Sequence, residues 1–249
     1  MTGGKGEAGL PASIEIAWGL RERPAKGPKR GLSVERIVEA GVAIAEAEGI
    51  GAVSMSRVAA EIGSKPMSLY RYVASKDDLI TLMVDAALGQ QTPISAKASW
   101  RQGLTHWCWR YREALQRHPW VLRVPISGPP VTPNQLLFLE AGLQALGDTT
   151  LRENEKMSVL LLLSGFVRNE ATLMADINAA ASSSGIPPRD IMPAYGRVIR
   201  RLVDEERFPG LQRVIAAGVF DQDDDEDDEF HFGLERILDG VELLMRSRS

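Results

Sequence analysis

A single cysteine, Cys108, has no partner for an intramolecular disulfide, and the three histidines, His106, His118 and His231, offer no H-E-x-x-H spacing for a metal centre. Nucleophilic catalysis is equally short of parts, because Cys108 lies between two tryptophans with no motif-supported base. Glycine supplies no phosphate cradle either, since Gly3-Gly4-Lys5-Gly6 follows no strand. No catalytic residue, metal or cofactor is therefore expected. Long hydrophobic runs are also missing. The longest aliphatic stretch, Val159 to Leu163, extends only to Val167 before Arg168 interrupts it, short of the ~20 apolar residues of a membrane span. It reads as a buried helix segment, and no membrane partner is expected. The first thirty residues lack the contiguous apolar core of a signal peptide, which makes the cytoplasm the expected location.

What is present is an ordinary globular composition with an uneven charge. Of 249 residues, 44% are hydrophobic and 25% charged, values that exclude a disordered chain. The 33 acids and 29 bases give a net charge of -4, which on its own argues against a nucleic-acid partner. That average is misleading. Residues 221 to 229 hold eight acids in nine positions, and without them 25 acids face 29 bases. Between Trp18 and Lys76 there are ten bases and six acids, so the front of the chain is basic. The acidic run itself reads as a solvated loop between helices, with DNA mimicry or cation binding as the alternative.

Residues 1 to 31, rich in Gly, Pro and bases, read as a mobile basic arm, either an inert tail or a source of phosphate and minor-groove contacts through residues such as Arg30. Helical signals come next. Ser33 is placed as an N-cap with Leu32 and Ile37 as a hydrophobic staple, and Gly49 stops the helix. A short helix is expected from Ser54 to Ile62 and a second from Lys65 to Val73, with Pro66 in its first turn, where a missing N–H is no loss. Ser75 and Asp78 then resemble a capping box opening a helix on Leu79 and Met83. Longer helices are expected at 96–117, 133–146, 152–181, 189–206, 211–218 and 230–246, and no alternating strand appears. The fold class is all-α, with a helix-turn-helix domain over 32–80 and a larger helical domain over 81–249.

Ala59 and Gly63 stand four apart at the turn of the helical hairpin, one small enough for a close crossing and the other free to take positive φ. Val58, Ile62, Leu69 and Val73 hold the second helix across the first, leaving Lys65, Met67, Ser68, Tyr70, Arg71 and Tyr72 for a major groove. The stretch from Ser33 to Ala87, and above all Leu69-Tyr70-Arg71-Tyr72-Val73-Ala74-Ser75-Lys76-Asp77-Asp78-Leu79, resembles the DNA-binding domain of the TetR family of bacterial transcriptional regulators. Ser54 and Val73 stand where that family usually has Thr and Phe. The resemblance implies that Ser54 caps its helix and touches phosphate, that Tyr70, Tyr72 and Lys76 clamp the DNA backbone, and that Arg57, Lys65, Met67 and Ser68 lie nearest the bases. One of the two tyrosines has core packing as its alternative.

The remainder resembles, more generally, the tetracycline-repressor type of C-terminal domain. Phe230, Leu234, Ile237, Val241 and Leu244 recur at 4-3-4-3, a helix seam that either fills the chain's own core or, as the resemblance implies, pairs with the long helix at Ser164 and Gly165 in a four-helix dimer bundle. Trp100, Trp107 and Tyr111 form an aromatic stripe, which is either core or one wall of an apolar cavity that also takes Phe138, Phe166 and Met174, with Asn169 to orient a ligand. The expectation is a homodimeric repressor that binds a palindromic double-stranded DNA operator and is released by a small-molecule effector. An activator, an effector-blind regulator or a helical enzyme are the alternatives.

Overall fold

The computed structural model describes residues 10–20, 32–89, 98–185, 187–222 and 227–248. Among them are eleven α-helices and no strand. By contact the chain divides into two units, residues 1–164 with 248–249, and residues 165–247.

The first unit opens on a helix that the sequence did not suggest. Helix α1, Ala12–Ala17, lies inside the expected mobile arm. Ile14 and Ser13 are buried, the Ser13 backbone N–H donates to Asp78 Oδ1 at 3.1 Å, and the Trp18 indole N–H donates to the Val131 carbonyl at 2.9 Å. Six residues with one buried isoleucine give too little periodicity to be read as a helix. The rest of the arm, with Arg30, lies outside the described residues.

Helices α2 (Val34–Glu48), α3 (Met55–Glu61), α4 (Pro66–Leu69) and α5 (Lys76–Leu88) build the head, the expected helix-turn-helix domain. Serine caps set three of their starts: Ser33, Ser54 and Ser75 accept the N–H groups of Arg36, Arg57 and Asp78. The α3–α4 turn is a Schellman motif. Gly63 at φ +66° lets its N–H reach the Ala60 carbonyl while Ser64 N–H reaches that of Ala59 at 2.8 Å. Helix α4 is shorter than the expected Lys65–Val73. The Leu69 carbonyl accepts from both Tyr72 at 2.8 Å and Val73 at 2.9 Å, a tightening that ends the α-helix one turn after it begins. Beneath this hairpin Val58, Ala59, Leu69 and Val73 are fully buried.

Helix α6 (Trp100–Arg117) starts four residues later than expected because Ser99 and Gln102 form a reciprocal capping box. Helix α7 (Pro133–Ala145) comes next, then α8 (Glu153–Ser184), which runs from the first unit into the second. At the start of α8, Glu155 accepts from the Arg152 side chain at 2.8 Å, from the Arg152 backbone N–H at 2.9 Å and from Arg248 at 2.6 Å.

In the second unit the rest of α8 is joined by α9 (Pro188–Leu202), α10 (Pro209–Ala216) and α11 (Asp228–Arg246). The Phe166 and Phe230 rings stack at 5.4 Å, and Gly233 makes room for them, since a Cβ there would lie 2.6 Å from the Phe166 ring. Phe230, Leu234 and Val241, expected at a subunit seam, are buried within the chain, while Ile237 is half-buried and Leu244 exposed. A 4-3-4-3 stripe records that a face is covered, and here its own chain covers most of it.

Two of these contacts can be tested by stability measurements. Hydrogen bonding to the Arg152 side chain, then to its backbone, holds the Glu155 carboxyl down at about 2 from its ordinary 4.5. A depressed carboxyl stabilises the fold fully above its unfolded value and loses that contribution as pH falls toward 2. Glu155→Gln should therefore lower the melting temperature at pH 7, and the difference from wild type should close between pH 4.5 and 2. Trp18→Phe, which removes the indole N–H together with the five-membered ring that carries it, should lower urea stability by about 1 kcal/mol or more.

Candidate nucleic-acid interface

The face of α3–α4 away from its buried side carries the residues expected to meet DNA. Ser54, Lys65, Met67, Tyr70, Arg71 and Lys76 are exposed, Met67 to 75%, and Arg57, Pro66, Ser68 and Tyr72 are partly so. Lys65, Arg71 and Lys76 have no acidic partner among the described residues. Of the two tyrosines, Tyr72 is the more enclosed, and Tyr70 keeps 45% exposure. Lys65, the N-cap residue of α4, and Lys76, the first residue of α5, each present an exposed ammonium, a charge that favours phosphate.

Arg57 differs from the others. Its guanidinium donates to Glu48 at 2.7 Å and to Glu61 at 2.8 Å, tying the end of α2 to the end of α3. The Glu48 hydrogen bond, then the Glu61 one, raises its already high pKa. The fork that would address guanine O6 and N7 is therefore occupied by two carboxylates in the DNA-free chain.

Within the first unit, polar contacts join the head to the helices C-terminal to it. His118 Nδ1, at the end of α6, lies 2.8 Å from Glu46 Oε1 on α2. A second contact has no counterpart among the sequence expectations. Asp85, on the buried side of α5 and only 8% exposed, accepts from the backbone N–H groups of Asn134 at 2.9 Å and Gln135 at 3.2 Å, while Asn134 Nδ2 donates to the Asp85 carbonyl at 3.1 Å. The one signal in the sequence was an acid within the apolar stripe of Leu82, Met83 and Ala87.

Of the expected ligand-binding residues, Trp107, Tyr111 and Phe138 come together. Trp107 stacks on Phe138 at 4.3 Å, Tyr111 approaches the same ring at 5.2 Å, and the Trp107 indole N–H donates to the Phe138 carbonyl at 2.8 Å. Trp100 stands apart at the start of α6, with the Arg101 guanidinium over its ring. Phe166, Asn169 and Met174 belong to the second unit, where Phe166 stacks on Phe230, Asn169 is exposed and Met174 half-buried. A cleft of about 330 Å³ opens elsewhere, between Trp18 and α7 residues including Leu136, Leu137, Glu140 and Leu143. Cys108 is fully buried, and burial pushes its thiol up to about 12, far from the thiolate a nucleophile requires.

The exposed side of α8 is a ridge of fourth residues, Met157, Leu161, Gly165, Asn169 and Leu173, with Leu162 beside it. Gly165 sits mid-ridge in open space, whereas Ser164 is turned back onto the Leu160 carbonyl at 2.7 Å. Helix α11 exposes Phe232 and Leu243. By length and composition α8 could also cross a membrane, at a mean hydropathy of 1.2 over 18 residues, an apolar richness spread around Arg168 that the length of the uninterrupted run does not register.

Comparison with known proteins shows which families the two parts of the chain resemble. The family model for bacterial regulatory proteins of the tetR family matches residues 37–83, and that for the tetracyclin repressor-like C-terminal domain matches residues 92–245. An HTH-type transcriptional repressor of Streptomyces coeruleorubidus, DrrR1, is 34% identical over 261 aligned positions, covering 99% of this chain and 94% of the relative. The class E tetracycline repressor protein of Escherichia coli is 27% identical over 138 positions, 54% of this chain and 65% of that protein. The crystal structure of Streptomyces coelicolor ActR in complex with (S)-DNPA superposes with a TM-score of 0.71 at 26% identity, covering 85% of this chain and 97% of the other. The complex of ActR with actinorhodin gives 0.69 at 27% identity, covering 86% and 97%.

Alanine substitutions separate the two kinds of DNA contact. Lys76→Ala should weaken binding to all sequences alike and reduce the salt slope by about one, whereas Arg57→Ala should relax preference at particular base pairs. Identical effects, measured by titration against specific and scrambled DNA, would remove Arg57 from the readers.

Proposed function

From its place in the TetR family of bacterial regulatory proteins, to which this chain belongs, we propose a homodimeric repressor that binds a palindromic operator through the exposed face of α3–α4 and leaves it when a small molecule occupies the C-terminal domain. The observation that carries the DNA-binding part is the head itself. A buried apolar base and a Schellman turn hold Lys65, Met67, Tyr70 and Lys76 outward in one exposed set. Reading two half-sites about one helical turn apart requires two such heads, which is the physical reason for a dimer.

The dimer is assigned to the α8 ridge with the exposed side of α11. Four-residue ridges pack into the grooves of a like helix, and Gly165 at the centre lets the two backbones approach. Phe230, Leu234 and Val241 support this surface from below rather than forming it. The effector is assigned to the neighbourhood of Trp107, Tyr111 and Phe138, where a largely apolar, ring-bearing molecule would have to part the Trp107–Phe138 stack. That ActR binds (S)-DNPA and actinorhodin supports a small-molecule effector here. We read the chain as non-enzymatic and as acting in the cytoplasm, where its DNA is.

A shift assay with DNA flanking its own gene should give a specific complex whose affinity falls steeply with salt, and actinorhodin is a practical first probe for release, read together with quenching of tryptophan fluorescence. Specific binding with no release by any probe would leave an effector-blind regulator or an activator. Leu161→Glu should raise the dimer dissociation constant by about tenfold or more in sedimentation, with operator affinity falling in parallel.

A further inference from the structure

We propose that Asp85 is the positioning residue through which the C-terminal domain holds the DNA-reading head, and that Thr132 is the cap that takes over when this hold is released. The proposal rests on the reading of the chain as a regulated DNA-binding protein and assigns the joint through which regulation would act.

Thr132 is the N-cap residue of α7, with the extended backbone that position requires. A threonine there ordinarily accepts from the second or third N–H of its helix. In this chain it does not: its side chain is 1% exposed and Oγ1 has no hydrogen-bond partner. An orphaned buried hydroxyl is uncommon enough to need a reason. The reason lies across the joint, because the second and third N–H groups of α7, those of Asn134 and Gln135, both go to Asp85 Oδ1 on α5.

A carboxylate from another helix has displaced the helix's own cap. Two acceptors therefore stand ready for the same two donors. With Asp85 engaged, α7 is fixed to α5, the last helix of the head. With Thr132 engaged, α7 is capped by itself and α5 is free to move. Neither arrangement leaves α7 without a cap, so the exchange swaps one acceptor for another without unfolding anything, which is what a two-state joint requires.

Helix α7 is also tied at its second turn. Phe138 stacks on Trp107 and accepts from its indole N–H, so the helix connects the aromatic cluster to α5 as a short lever. Because the Trp107 bond is to the Phe138 backbone carbonyl, displacing Trp107 pulls on α7 itself, and movement of α7 either carries α5 with it or breaks the Asp85 contact.

Four variants test this without any effector. Asp85→Ala should lower operator affinity by about tenfold. It should also broaden the distance distribution between spin labels at Ser56→Cys and Asp148→Cys, read within one chain by dilution into unlabelled protein. Both label positions are exposed, and buried Cys108 stays unlabelled. Thr132→Val should leave operator affinity within about twofold and the melting temperature undiminished, because its hydroxyl has no partner while Asp85 holds α7. The double variant should lose more stability than the two single losses together, since α7 then has neither cap. Asp85→Asn, which keeps one acceptor oxygen, should fall between wild type and Asp85→Ala, and it keeps the test open if the alanine variant folds poorly. An Asp85→Ala protein with wild-type distances and affinity overturns the proposal, as does an additive double variant or a Thr132→Val protein as impaired as Asp85→Ala. Failure of wild type to respond to any effector would count against the ligand reading alone, because none of these measurements uses one.

Discussion

Helix α5 has to satisfy two sets of neighbours with thirteen residues, and the first unit depends on that constraint. Its Leu79, Leu82, Met83 and Ala87 close the core of the head, while its other contacts reach α1, α6 and α7. Apolar packing fixes which face of a helix is buried, but the hydrophobic effect itself is non-directional. Hydrogen bonds to placed donors do have direction. Asp78 at the start of α5 and Asp85 in its middle supply them, one toward Ser13 and the other toward the first turn of α7. The apolar residues decide that α5 is buried, and the two carboxylates decide its register.

The DNA-facing side obeys the opposite logic. Its reading residues are exposed because those beneath them are not, and the positions of Lys65, Met67 and Tyr70 are inherited from Leu69, Val73 and the turn at Gly63. Arg57 stands outside this scheme, engaged by Glu48 and Glu61 on the surface. Exposed pairs of this kind contribute little stability because solvent screens them, so a phosphate or a guanine can compete for the guanidinium. Its place between two acids is compatible with reading DNA and adds a cost to reading it in the wrong place.

Much of this was legible in the sequence wherever the deciding interaction was local. Ser33, Ser54 and Ser75 announced their helices because a cap acts within three residues, and Gly63 announced its turn because φ is a property of one residue. Helix α4 was overestimated at its far end, where the shared Leu69 carbonyl tightens the backbone in a way no side-chain pattern records. Periodicity identified a covered face on α11 without saying which chain covers it, and Phe230, Leu234 and Val241 turned inward. Asp85 was illegible, because its partners lie 49 and 50 residues away and a lone acid in an apolar stripe looks like an error until its donors are seen. Helix α1 escaped for a related reason: its hold is two hydrogen bonds to distant segments, and neither leaves a local trace.

The strap formed by α1 also has a schedule. Its Trp18 bond closes on a carbonyl 113 residues downstream, so it cannot form until that segment has left the ribosome. At about 5 to 20 residues per second, the interval between synthesis of the two ends is roughly 6 to 23 s. Every element of the DNA-reading head is made within that interval. The head therefore meets the nascent-chain environment with its N-terminal helix able to reach Asp78 but not yet Val131, and the order of synthesis separates acquisition of the reading surface from the last fastening of the strap behind it.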